Sequence, residues 1–156
     1  MRRFLAAAFV LLPALPAGAD SLEARLAACL ACHGEKGQSA VPEVPSLGAQ
    51  PAFYLTIQLF LFRERLRVVE AMNKVTQGLS NAELRDMADF IAKLPPPRPA
   101  GDSPDPARME RARALIAQHR CNFCHNRDYS GEQNVPRLAP DRRFGDRRGR
   151  ARRAVH

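Results

Sequence analysis

The chain has 156 residues, room for one medium domain or two small ones, and a net charge of +8 with a pI near 10.2. That basicity excludes less than it suggests, because Arg2 and Arg3 sit at the N-terminus and eight Arg against two Asp fall in residues 137–156. The remainder, 20–136, is balanced, which argues against a basic folded face for nucleic acid.

The N-terminus reads as an export signal. Arg2-Arg3 is a charged start, Phe4–Leu15 is apolar apart from Pro13, and Ala17-Gly18-Ala19 is a small-residue cleavage site before Asp20. An uncleaved membrane anchor is the rival reading, but the apolar stretch is short for a span. Residues 1–19 are therefore expected to be removed, leaving a periplasmic chain that starts at Asp20. No later stretch is apolar enough for a membrane span, so any membrane association would be peripheral.

From Asp20 the text reads as all-α. Asp20, with Glu23 three residues on, is expected to cap a first helix that runs into Cys29. A loop rich in Gly, Ser and Pro follows His33 and lasts to about Gly48. Pro51 suits the first turn of a second helix. Its buried face is expected to carry Phe53, Tyr54, Ile57, Phe60 and Leu61, with Arg63–Arg67 at the polar end. Ser80 and Glu83 form a capping box for a third helix, in which Leu84, Met87, Ala88, Ile91 and Leu94 recur at helical spacing before Pro95.

Pro95 to Pro106 is a proline-rich linker (95–106) between a first unit, 20–94, and a second, 107–139. The second unit opens as a copy of the first. Asp105-Pro106 caps a helix expected to run through Leu115 and Ile116 into Cys121. A Pro-x-Leu lies 12 residues after His33, at Pro45, and 11 after His125, at Pro136. The copy then stops. Residues 140–156 carry no apolar periodicity and read either as a disordered basic tail or as text from a shifted reading frame.

All four cysteines fall in two Cys-x-x-Cys-His units, Cys29–His33 and Cys121–His125. A disulfide framework does not explain the histidine after each pair, the redox reading expects a βαβ context, and the pairs are too far apart for one zinc site. The motif is that of haem c attachment: Cys29 and Cys32, and again Cys121 and Cys124, form thioethers to one porphyrin. His33 and His125 then serve as proximal iron ligands. For the sixth ligand of the first iron the candidates are Met72, expected in a loop between helices, and Met87, which falls on an apolar stripe and reads as core. The second iron has no such candidate. Met109 precedes Cys121, and His156 is the only imidazole downstream of His125.

Cys-Leu-Ala-Cys-His-Gly at 29–34, Pro45-Ser46-Leu47-Gly48, Tyr54-Leu55, Gln58-Leu59, Phe62-Arg63, Met72-Asn73 and Leu79-Ser80 together resemble a class I cytochrome c domain. The whole is similar to the two-domain periplasmic cytochrome c4 group, with an incomplete second domain. The resemblance implies His33 and Met72 as axial ligands and the Pro45 carbonyl as the group that orients His33. It also implies an electron carrier with no substrate chemistry of its own, feeding redox partners such as a terminal oxidase. The alternative is a haem enzyme or enzyme subunit, peroxidase-like or the partner of a periplasmic dehydrogenase, that uses an open second haem.

Overall fold

A computed structural model describes residues 21–98 and 105–138. The expected signal peptide, the cap at Asp20, residues 99–104 of the linker and the basic tail with His156 lie outside the described residues. Within them every regular element is a helix, and the one β-feature is an isolated bridge between Glu132 and Val135. No helix among them is long and apolar enough to cross a membrane.

The first helix, α1, spans Leu22–His33. Its cap is Ser21, whose hydroxyl accepts from the Ala24 N–H at 3.3 Å. The cap is therefore one residue later than expected, and Glu23 stands inside the first turn rather than at the capping-box position. α2 spans Ala52–Arg63 with Pro51 as its cap, just outside the helix; an extended ψ of 132° places it there.

The buried face of α2 differs from expectation. Leu55, Leu59 and Phe62 point inward, whereas Phe53 and Phe60 are 58% and 41% exposed. Almost every residue of this helix is apolar, so no stripe marks the inner side. Its docking against α4 decides which residues are buried. Leu55 and Leu59, four residues apart, join the α4 residues Leu84, Met87, Ala88 and Ile91 in the core.

A short helix, α3 (Glu70–Thr76), stands where a loop was expected. α4 (Asn81–Ala92) opens on the capping box: Ser80 Oγ accepts from Glu83 N–H at 3.2 Å, and the Ser80 N–H donates to Glu83 Oε2 at 2.7 Å. Leu84, Met87, Ala88 and Ile91 form its buried stripe and join Leu26, Leu55, Leu59 and Leu79 in one core. Full burial of each large side chain there contributes about 1.5–3 kcal/mol. Arg25 of α1 meets Glu83 at 3.2 Å, tying the α1 and α4 starts together at a half-exposed pair.

Past the linker, α5 spans Pro106–His119, capped as expected by Asp105, whose carboxylate accepts from Ala107 and Arg108 N–H. It does not reach Cys121. Arg120 takes a left-handed φ of 52°, and both its N–H and that of Cys121 turn back to the Ile116 carbonyl. A one-turn helix, α6 (Asn122–His125), then carries the second motif. Neither α5 nor α6 buries a residue.

Candidate haem centres

Cys29 and Cys32 lie one turn apart on α1, so both thiols leave the same side of the helix. His33 is the last residue of that helix. Gly34 ends it with a φ of 84°, and a Cβ there would stand 2.0 Å from the Gln38 carbonyl oxygen. The chain can therefore fold back at once. The Gly37 carbonyl accepts from Leu47 and Gly48 N–H at 2.8 and 3.0 Å, which closes the loop and brings Pro45 over the histidine.

His33 is 6% exposed, and its Nδ1 lies 2.7 Å from the Pro45 carbonyl oxygen. A carbonyl only accepts, so Nδ1 carries a proton and Nε2 is the ring nitrogen left to hold a metal. Burial, with Cys32 as a like-charged neighbour, pushes the Cys29 thiol up against the pull of a backbone hydrogen bond. Neither cysteine of the pair is in a disulfide. Two thiols on one side of a helix and an imidazole with a free, oriented Nε2 are the donor set that haem c requires.

Met72 lies in α3 rather than in a loop, half-buried against the core. Its neighbours hold that turn in place. Asn73 is 2% exposed, and its side chain donates to the carbonyls of Phe62 (2.6 Å) and Arg67 (2.8 Å) and accepts from the Val69 N–H (2.9 Å). Thr76 Oγ1 donates to the Met72 carbonyl at 2.8 Å. Leu66, Val68 and Val69, which lead into α3, are 45–72% exposed and leave apolar surface next to Met72 along the chain. Met87, by contrast, is 2% exposed in the core.

The second motif reproduces the first in its key contact. His125 Nδ1 lies 2.8 Å from the Pro136 carbonyl oxygen. Cys121 caps α6 half-buried, Cys124 is exposed, and neither is in a disulfide. Where Gly34 follows His33, Asn126 follows His125 with a positive φ of 66°. Its amide donates to Ser130 Oγ and the Gly131 carbonyl, which offsets the backbone cost by tying the loop to itself. Ser130 also holds the Asp128 carboxyl below its usual range by hydrogen bonding. The surroundings are barer than in the first motif. Leu115, Phe123 and Leu138 are 54–78% exposed.

Sequence reasoning missed Asn73 as a structural staple. An Asn beside a candidate ligand was the available signal, but nothing in the residue order says that it is buried against the carbonyls of Phe62 and Arg67.

Residues 24–95 match the family described as Cytochrome c. The chain is 39% identical over 74 residues to cytochrome c4 of Thiocapsa roseopersicina, which covers 47% of this chain and 38% of that protein. It is 34% identical over 73 residues to cytochrome c-554(548) of Halomonas halodenitrificans, covering 45% of this chain and 88% of that one. A solved structure of Acidithiobacillus ferrooxidans cytochrome c4 is similar at a TM-score of 0.64 and 28% identity, over 76% of each chain. The chain spans little more than a third of the length of the Thiocapsa cytochrome c4 that it matches. With the family match over residues 24–95 and the Halomonas cytochrome matched over nearly its whole length, the chain belongs to the cytochrome c family.

Proposed function

We propose that this is an exported, periplasmic electron-transfer cytochrome with two units, each attaching one haem c. Cys29 and Cys32 anchor the first haem, with His33 and Met72 as axial ligands; Cys121 and Cys124 anchor the second, with His125 on its iron. The observation that carries the reading is the pair of matched contacts, His33 Nδ1 to Pro45 at 2.7 Å and His125 Nδ1 to Pro136 at 2.8 Å. Each contact fixes the tautomer and ring plane of the imidazole that would hold the iron through Nε2.

Bound haem supplies a one-electron couple, and histidine–methionine ligation raises its potential. The protein's part is to hold still. Asn73 and Thr76 fix the turn that bears Met72, and Pro45 fixes His33, so ligand geometry has little freedom to change with the charge on the iron. The electron passes to a redox protein, a respiratory acceptor such as a terminal oxidase being the one the family resemblance points to.

Pyridine haemochrome analysis and intact mass of the exported chain test this directly. Two haems on a chain beginning at Asp20, with a methionine–iron charge-transfer band that Met72→Ala abolishes, is the expected result. A chain with one haem refutes the second site, a band that survives Met72→Ala refutes that ligand, and a haem-free chain refutes the whole.

A further inference from the structure

Among the described residues from Asp105 to Leu138, no hydrophobic side chain is buried; Arg137, at 9% exposure, is the only residue there in the buried class. A segment that buries so little cannot hold a loop in one shape through its own core. Yet His125 meets Pro136 as closely as His33 meets Pro45.

Support comes from the first unit, and it arrives next to Pro136. The Gln50 side chain donates from Nε2 to the Arg137 carbonyl at 3.1 Å and accepts from the Arg137 N–H at 2.9 Å. Arg137 Nε in turn donates to the Ala49 carbonyl at 3.2 Å. The side-chain amide thus pairs with both main-chain groups of one residue, as a neighbouring strand would. Ala49 has a left-handed φ of 55°, in the stretch that follows Pro45 and Leu47. Gln50 and Ala49 therefore sit on the same loop that orients His33, and Arg137 on the loop that orients His125.

We infer that Gln50 is a positioning residue: it docks the second Cys-x-x-Cys-His loop onto the first unit and so holds the Pro136 carbonyl where it orients His125. The inference rests on the proposed role of His125 as an iron ligand, whereas the clasp itself can be read separately. Because Gln50 engages the main chain of residue 137, the clasp depends on the side chain at 50 far more than on the one at 137.

The test uses the full-length exported protein. Its haem stoichiometry is read first and bears on the haem proposal alone. Hydrogen exchange by NMR at the amide of residue 137 then reads the clasp, whichever stoichiometry is found. Gln50→Ala is expected to speed that exchange on the order of tenfold while the α4 amides of Leu84 and Met87 keep theirs. Arg137→Ala is expected to leave most of the protection in place. In the two-haem chain, Gln50→Ala shifts the ring resonances of His125 and the potential of its haem, and leaves those of His33 unmoved. Unchanged exchange in Gln50→Ala, equal loss of protection in Arg137→Ala, or equal shifts at both histidines would each overturn the inference.

Discussion

Asn73 shows how one side chain can hold its chain neighbour in place, here Met72, the proposed axial ligand. Its amide satisfies the carbonyl of Phe62 in the last turn of α2 and, in the link to α3, the carbonyl of Arg67 and the N–H of Val69. Asn73→Ala leaves these groups without their partner at a buried position, a change that costs about 2–4 kcal/mol in chemical denaturation. The methionine–iron band should weaken in the same variant, since the Met72 turn loses its anchor. A variant with unchanged stability and an unchanged band would show that α3 is held by other means. His33 illustrates the opposite case. Its proposed role is legible from the motif, because a histidine directly after Cys-x-x-Cys has one common use. The Pro45 contact was legible only through family resemblance, since a spacing of 12 residues does not by itself say which carbonyl folds back.

At the scale of elements, α4 is the best specified and α2 the least. Ser80 and Glu83 announce the start of α4, and its apolar residues occur on one stripe, so local sequence and packing agree. Hydrogen bonds from Ser80 hold the Glu83 carboxyl below its ordinary value of 4.5, with Arg25 adding to the effect. A depressed folded value means that the stabilisation is present above the ordinary value and is lost as pH falls through the lowered one. Thermal unfolding should therefore lose a component from about pH 4.5 downward that is absent in Glu83→Gln, which has no carboxylate for the Ser80 main-chain N–H and Arg25 to hold. Parallel pH profiles for the two proteins would refute the link. α2 resisted reading for a physical reason: with apolar residues all round, its inner face is set by its neighbours. The break between α5 and α6 was equally hidden, because Arg120 carries no residue-type signal for the left-handed turn it makes.

At the scale of the molecule, burial among the described residues is lopsided. The eight-residue core runs from Leu26 to Ile91, and the second segment contributes nothing to it. Loss of the second cysteine pair should thus leave the first unit intact. Cys121→Ala/Cys124→Ala is expected to keep one haem and the methionine–iron band, with the first unit's unfolding free energy unchanged to within about 0.5 kcal/mol. A drop of several kcal/mol would mean that the two segments share a core after all.

The residue order alone determined the all-α class, the two Cys-x-x-Cys-His motifs, the repeated Pro-x-Leu and the helix that closes the first unit. Each of these is written in short spacings and local chemistry, which survive without a fold. The tertiary structure decided which face of α2 is buried, that Met72 rides on a helix pinned by Asn73, and that Gln50 meets Arg137 across 87 positions of sequence. Those depend on which distant backbone groups end up unpaired beside a given side chain, a matter settled only when the chain has closed on itself.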